Sequence, residues 1–136
     1  MYINMWAVLV AAIASTAIGA LWYSPLVFGK PWMKLMGITP EAVAATPRSS
    51  MVWSYVSGLI SALVTSFILS KLISWVCNGS TSAALKLAGL VWLGFIAAIM
   101  VGSVIWEKKP WSLFFINAAY YLVSLIVMAL IITGWN

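Results

Sequence analysis

Four long apolar stretches, separated by shorter polar segments, set the pattern of the chain. They cover residues 5–28, 51–76, 83–106 and 111–135, and each holds at most one charged side chain. A helix needs about 20 apolar residues to cross a hydrocarbon core roughly 30 Å thick. The pattern therefore predicts an all-α fold, an integral membrane four-helix bundle that forms a single transmembrane domain over residues 1–136.

The first connection, residues 29–50, is the only long one, and it carries helix signals of its own. Threonine precedes proline at positions 39–40 and 46–47, and such a pair suits a helix start, with threonine as N-cap and proline as the first helical residue. We expect a short helix near residues 40–45. Upstream, residues 31–36 place large apolar side chains on one side and lysine on the other, which predicts a short helical segment in the membrane interface.

The first stretch ends in an unusual turn sequence, Trp-Tyr-Ser-Pro. Pro25 has no N–H to donate to the carbonyl of Leu21, and the Ser24 hydroxyl is expected to bond a carbonyl freed in that turn. Tyr23 lies one turn beyond the small residues of helix one, so its phenol is expected to face the other helices, toward Asn117. If this end of the bundle holds a binding site, the turn is the part of helix one that belongs to it.

Composition and charge support a membrane location and suggest an orientation. Hydrophobic residues make up 65% of the chain and charged residues 7%, whereas the apolar share of soluble domains is close to half. Most basic residues lie in the first and third connections, so the positive-inside rule puts both in the cytoplasm and both termini outside. We expect a protein of the cytoplasmic membrane. Anionic lipid headgroups account for the net charge of +5, and no nucleic-acid partner is expected.

Aromatic and basic side chains gather where the spans leave the predicted cytoplasmic face. Tryptophan favours the headgroup layer and lysine binds anionic lipid, so these residues are expected to anchor the helices in membrane lipids. The predicted anchors are Trp22, Lys30, Trp32, Lys34, Lys108, Lys109 and Trp111. Trp92 differs because it lies well inside helix three, and its indole N–H is expected to find a partner within the bundle.

Small residues recur at intervals of about four along three of the spans, a spacing that lets helix backbones approach closely in a membrane. The predicted packing residues are Ala11, Ser15 and Gly19 on helix one, Gly58 on helix two, and Gly94, Ala98 and Gly102 on helix three. On helix two, Gly58 shares its stripe with Ser54, Ser61 and Thr65. We expect helices one and three to form the tight centre of the bundle; a ligand groove is the competing interpretation of such faces.

Polar side chains concentrate in the predicted cytoplasmic half. The candidate cluster consists of Tyr23, Ser24, Pro25, Ser54, Ser57, Trp92, Glu107, Asn117, Tyr120 and Tyr121. Spacing of four and three puts Asn117, Tyr121 and Ser124 on one face of helix four, and unpaired polar groups are costly in lipid. Two interpretations stay open: the cluster ties the helices together, or it lines a pocket, open to the cytoplasm, that recognises a small molecule or a lipid headgroup.

The chain lacks the groups that most catalytic and metal sites use. It has no histidine and no aspartate, and its only acids are Glu41 and Glu107. Paired-carboxylate chemistry, histidine-ligated haem and a Ser-His-Asp triad are therefore excluded. The single Cys77 cannot form an intrachain disulfide, and no second thiol or histidine joins it to hold a metal. We predict no catalytic residues, no metal and no cofactor.

Three segments resemble the family named domain of unknown function 1761, which consists of small bacterial four-span membrane proteins. They are residues 19–33 (GALWYSPLVFGKPWM), 37–41 (GITPE) and 116–125 (INAAYYLVSL). The resemblance implies a four-helix fold and a place in the bacterial cytoplasmic (inner) membrane, and it brings no established activity and no catalytic residues. It implies that the family's signature positions are Trp22, Tyr23, Ser24, Pro25, Phe28, Gly29, Lys30, Trp32, Asn117 and Tyr121.

Together these observations favour a non-enzymatic homo-oligomer that binds or passes a small molecule or lipid at its cytoplasmic half. Self-association is expected because four helices can hardly enclose a permeation path and small-residue faces invite contact. Two alternatives stay open: an accessory or scaffold subunit of a larger membrane complex, and an enzyme that acts on a lipid.

Overall fold

Helices make up most of the chain that the structure describes. This computed structural model describes residues 3–135. In chain order the helices are α1 (Met5–Trp22), α2 (Gly29–Met36), α3 (Pro40–Ala44), α4 (Arg48–Val76), α5 (Thr81–Trp92), α6 (Ala98–Ile105) and α7 (Trp111–Gly134). A π-helical turn, Leu93–Ala97, joins α5 to α6 without a break, so the third span runs over Thr81–Ile105.

Within residues 3–135, four helical stretches are long and apolar enough to cross a membrane: α1, α4, the third span and α7. The predicted all-α class with four apolar spans is therefore confirmed. Three spans begin and end within three residues of the predicted bounds. The first span differs, because α1 ends at Trp22, six residues before the predicted end at residue 28.

The early end of α1 follows from the turn that contains Pro25. The proline ring cannot donate to the Leu21 carbonyl. That carbonyl instead accepts from the Ser24 hydroxyl at 2.6 Å and from the Ser24 backbone N–H at 3.1 Å. The prediction that the Ser24 hydroxyl bonds a freed carbonyl is confirmed, and the chain leaves the helix with that oxygen satisfied.

Gly29 lets α2 begin directly against this turn. A Cβ atom at position 29 would lie 2.5 Å from the Tyr23 carbonyl oxygen and 2.6 Å from the Ser24 carbonyl oxygen, which is inside van der Waals contact. The Gly29 N–H donates to the same Ser24 oxygen at 2.8 Å. A glycine is therefore required here, and α2 lies close to the end of α1, where it packs against α7.

The predicted short helix of the first connection is present as α3. Thr39 caps it by accepting from the Ala42 N–H at 3.1 Å, and Pro40 is its first residue. The second Thr-Pro pair behaves differently. Pro47 is itself the N-cap of α4, and the Thr46 hydroxyl donates to the Ala42 carbonyl at 3.0 Å. The prediction of Thr46 as an N-cap is wrong because its hydroxyl closes the end of α3.

The first and fourth spans, α1 and α7, form the centre of the bundle. α1 packs against α4 and α7, and α7 also packs against α5. The Ser15 hydroxyl is hydrogen-bonded to that of Ser124 on α7, and the Ser66 hydroxyl of α4 donates to the Val8 carbonyl at 2.9 Å. The expectation that helices one and three form the centre is wrong, because the small residues of α1 are taken up by α4 and α7.

The two ends of the bundle are packed differently. We call the end that carries residues 23–47 and 106–110 the connector end, and the end that carries residues 77–80 the terminal end. Toward the terminal end the four spans share one buried cluster, made of Ala11, Leu69, Ile73, Cys77, Ala84, Ala88, Leu125, Met128, Ala129 and Ile132. Toward the connector end α4 and α6 scarcely touch, and a groove opens between them.

Candidate functional site

The groove has α1 and α7 as its floor, α4 as one wall, and the π-helical turn with α6 as the other. It consists of two adjoining chambers of about 590 Å³ and 600 Å³, each within the usual range of small-molecule sites, roughly 300–1,000 Å³. The connector chamber lies near α2 and the inner chamber deeper in the bundle. Both chambers are lined by Gly58, Ala62, Met100, Tyr120 and Tyr121, so the two form one continuous groove.

Hydrogen bonds between α1 and α7 build the floor. The Tyr23 hydroxyl donates to the Asn117 Oδ1 atom at 2.7 Å, which confirms the predicted contact. The Tyr120 hydroxyl donates to the Ser15 carbonyl at 3.1 Å. Its ring lies over Gly19, where a Cβ atom would come within 2.9 Å of the phenol oxygen. The floor is therefore a packed, hydrogen-bonded surface, as expected if the polar cluster ties the helices together.

Two hydrogen-bond donors at the connector chamber have no acceptor among residues 3–135. Asn117 uses its Oδ1 atom for Tyr23, and within residues 3–135 its Nδ2 amide makes no hydrogen bond. The hydroxyl of Tyr121 makes none either among the described residues, and this side chain is 43% exposed. Both residues line the chamber. Part of the hydrogen-bonding capacity of the cluster therefore faces the open chamber.

Aromatic rings surround these donors. Tyr23 packs edge-on against Trp32 of α2, with ring centroids 5.3 Å apart, and against Tyr120 at 5.5 Å. Tyr120 in turn packs against Tyr121 at 5.2 Å. Trp32 and Met36 bring α2 over the connector end of the groove. The mouth is therefore amphipathic, with flat apolar surfaces around a few polar atoms.

The inner chamber is mainly apolar. Its walls are contributed by Phe95, Ile96, Ile99 and Met100 on one side and by Leu125 and Met128 on α7, with the hydroxyls of Ser61 and Thr65 on α4. Phe95 and Ile96 belong to the π-helical turn, a feature that often marks functional sites.

Two tryptophans fasten the third span and the end of α1 to α7. The Trp92 indole N–H donates to the Ala118 carbonyl at 2.7 Å, and the Trp22 indole N–H donates to the Ile116 carbonyl at 3.0 Å. The prediction that Trp92 finds a partner inside the bundle is confirmed. Trp22, predicted as a headgroup anchor, is instead half-buried and packs on Phe28, with ring centroids 4.8 Å apart.

The predicted polar cluster divides into two groups. Five members line the groove: Tyr23, Ser54, Asn117, Tyr120 and Tyr121. The other five, Ser24, Pro25, Ser57, Trp92 and Glu107, do not line either chamber. Ser24 and Pro25 form the turn after α1, Trp92 fastens the third span, and Glu107 lies exposed just beyond α6. Sequence spacing alone could not separate these groups, because it does not show which helix faces meet.

Only some of the predicted packing and anchoring residues lie in the environment that the sequence predicted. Ala11 and Ser15 are buried and Gly19 lies against Tyr120, as expected. Gly58 instead faces the groove, and Gly94 and Ala98 are exposed. A Cβ atom at Gly102 would lie 3.8 Å from the Trp106 side chain. The predicted anchors Lys30, Lys34, Lys108, Lys109 and Trp111 are exposed, and Trp32 lines the groove. The stripe on α4 that suggested packing is therefore a groove wall.

Several groove residues were not singled out from the sequence. They are Met36, Phe95, Ile99, Met100 and Met128. All are apolar or aromatic residues of the kind that every span contains, and no sequence signal distinguishes them from residues that face lipid. Knowing which helices are neighbours is necessary to find them.

Comparison with known proteins identifies a family. The model of the family described as "Protein of unknown function (DUF1761)" matches residues 6–133. The chain belongs to the DUF1761 family. The resemblance noted in the sequence is thereby confirmed, and the match covers both chambers of the groove. No curated protein and no solved structure matches the chain.

Proposed function

We propose that this DUF1761 member is an integral membrane protein that holds a lipid, or a small molecule shaped like one, in the groove between α4 and α6. The observation that carries the proposal is the pair of free donors, Asn117 Nδ2 and the Tyr121 hydroxyl, at one end of an otherwise apolar groove. Polar groups at membrane depth are costly without a partner. A bound amphiphile would supply that partner.

The dimensions of the groove suit one lipid tail. Its lining runs from residue 117 to residue 128 on α7 and from 54 to 65 on α4, which is about 16 Å along each helix. Half of a hydrocarbon core roughly 30 Å thick is about the same length. The groove therefore matches the depth of a single leaflet, and its side opening between α4 and α6 faces the lipid.

The basic residues of the connector end suggest into which leaflet of the membrane the groove opens. Lys30, Lys34, Lys108 and Lys109 are exposed there, and the positive-inside rule assigns that end to the cytoplasm. We propose that the groove opens into the cytoplasmic leaflet of the bacterial inner membrane, with both termini outside. The groove lining contains no acid, histidine or cysteine among the described residues, which favours binding or passage of the ligand over catalysis.

A second proposal concerns self-association or docking on a larger membrane complex. The outward face of the third span carries exposed Gly94 and Ala98 beside exposed Leu90. Small residues on an outer helix face favour close contact with another helix. Cross-linking at native abundance tests this proposal: homomeric products support a homo-oligomer, and purely heteromeric products support an accessory subunit.

Filling the groove tests the main proposal. A Cβ atom at Gly58 or at Gly89 would meet nothing within 4 Å, but only Gly58 lines the groove. Gly58→Leu should reduce the lipid that stays bound after detergent purification, measured by mass spectrometry of solvent extracts per mole of protein. Gly89→Leu makes the same change on α5 and should retain the wild-type amount. Equal retention by both variants would contradict the proposal.

A further inference from the structure

We propose that the groove selects a lipid whose polar end is uncharged and carries hydrogen-bond acceptors, such as the carbonyl oxygens of a diacylglycerol, over lipids with a phosphate. This inference rests on the proposed lipid-binding function and adds the chemical class of the ligand. It follows from three features of the connector chamber: the kind of polar atoms that are free, the absence of charge in its lining, and the orientation of α2.

The free polar atoms call for an acceptor on the ligand. The Asn117 amide presents its Nδ2 atom as an unused donor, while Oδ1 already accepts from the Tyr23 hydroxyl at 2.7 Å. Tyr120 is not available in the same way, since its hydroxyl donates to the Ser15 carbonyl. The Tyr121 hydroxyl supplies the second free donor. Two neutral donors about one helical turn apart on α7 suit two oxygens of one polar group.

No charged side chain among residues 3–135 lines either chamber. A phosphate drawn into the connector chamber would leave water without meeting a cation, and burial of an unpaired charge is far more costly than burial of a hydrogen-bonded neutral group. Neutral acceptors meet no such penalty. The lining therefore discriminates against an anionic end while accepting an uncharged one.

The lysines of α2 do not change this conclusion. Trp32 and Met36 line the groove, whereas Lys30 and Lys34 are exposed and do not. A step of two residues turns a helix by about 200°, so the lysines lie on the side of α2 opposite the groove. They are placed to meet headgroups of the surrounding membrane rather than a ligand inside the chamber.

The test compares lipids that share tails and differ at the polar end. Delipidated protein in detergent is titrated with dioleoylglycerol, dioleoylphosphatidylglycerol and dioleoylphosphatidylcholine, and binding is followed by native mass spectrometry. We expect dioleoylglycerol to bind at least about tenfold more tightly than either phospholipid. Tyr121→Phe should weaken dioleoylglycerol binding about fivefold, because one neutral hydrogen bond is lost. Trp75→Phe, at an exposed aromatic residue that lines neither chamber, should leave dioleoylglycerol binding unchanged.

The outcomes separate this inference from the proposed function. If all three lipids bind equally and Gly58→Leu abolishes binding of each, the groove binds lipid and the selectivity inference is wrong. Tighter binding of phosphatidylglycerol overturns the inference in the same way. If no lipid binds in a manner sensitive to Gly58→Leu, the proposed function itself fails. A dimer that Gly58→Leu disrupts would likewise show that a second copy, not a lipid, fills the groove.

Discussion

At the scale of single residues, the Tyr23 and Tyr120 hydroxyls of the floor each have a hydrogen-bond partner, whereas the Tyr121 hydroxyl has none among residues 3–135, and this contrast singles out the site. Tyr120 and Tyr121 are adjacent on α7, yet one hydroxyl is bonded to the Ser15 carbonyl and the other faces the groove. Sequence spacing correctly placed Tyr23 toward Asn117, because Tyr23 lies one turn beyond Gly19 on the small-residue face of helix one. It could not distinguish the two tyrosines, since their roles depend on the position of α1.

Asn117→Ala and Tyr121→Phe should therefore differ in their effect on the stability of the protein. Loss of the Asn117 amide leaves the Tyr23 hydroxyl without its acceptor and should lower the free energy of unfolding by about 0.5–2 kcal/mol. Tyr121→Phe removes no internal hydrogen bond and should leave the melting temperature in detergent unchanged while reducing lipid retention. A clear drop in melting temperature for Tyr121→Phe would show that its hydroxyl is structural.

Gly29→Ala should be among the most damaging small changes in the chain. The added methyl group would lie 2.5 Å from the Tyr23 carbonyl oxygen, so the turn and α2 must shift, at an expected cost of about 1–3 kcal/mol. Gly58→Ala is the matched control. Its methyl group meets nothing within 4 Å, and it should be neutral or stabilise α4 by about 0.5–1 kcal/mol. Thermal unfolding in detergent measures both; equal melting temperatures would contradict the tight corner at Gly29.

At the scale of elements, the apolar stretches were sufficient to predict the four spans, because length and lack of charge are properties of each helix alone. The end of α1 and the contact between spans were harder. The turn at Pro25 shortens α1 through a proline and a serine that act together. Small residues were ambiguous for a physical reason: the same side chains that let helices approach also line grooves and outer faces, as Gly58 and Gly94 do.

The third span depends on Trp92 for its position next to α7. Trp92 is the residue immediately before the π-helical turn, and its indole N–H donates to the Ala118 carbonyl. Trp92→Phe keeps most of the ring but loses this bond, so amides of the π-helical turn and α6 should exchange with solvent faster in hydrogen–deuterium exchange. Trp106→Phe serves as control because Trp106 is exposed, and it should leave exchange unchanged. Equal exchange in the two variants would refute the fastening role of Trp92.

At the scale of the whole molecule, the bundle is closed at the terminal end and open at the connector end, and this asymmetry gives the groove its depth. A sequence shows amphipathic faces one helix at a time, but a groove arises from two helices that fail to meet, here α4 and α6. That is why the polar cluster was found from the sequence and the inner chamber was not.

The proposed orientation is tested by cysteine labelling in a Cys77→Ser background. Lys34→Cys places a thiol on exposed α2, and Asn78→Cys places one in the exposed turn between α4 and α5. In intact cells an impermeant maleimide should label position 78 and leave position 34 unlabelled until the membrane is permeabilised. Labelling of position 34 from outside would reverse the topology and assign the groove to the outer leaflet.

The central claim, that the groove holds a lipid, is tested most directly by photo-cross-linking. Lipids with a diazirine halfway along the tail, added as diacylglycerol and as phosphatidylglycerol, are bound to the purified protein, irradiated and mapped by peptide mass spectrometry. Thr65 on α4, Met100 on α6 and Tyr121 on α7 line the groove with accessible side chains, whereas Phe115 and Leu130 are exposed outside it. We predict that labelling concentrates on the first three residues and is lost in Gly58→Leu. Labelling confined to Phe115, Leu130 and other outer positions would contradict the account.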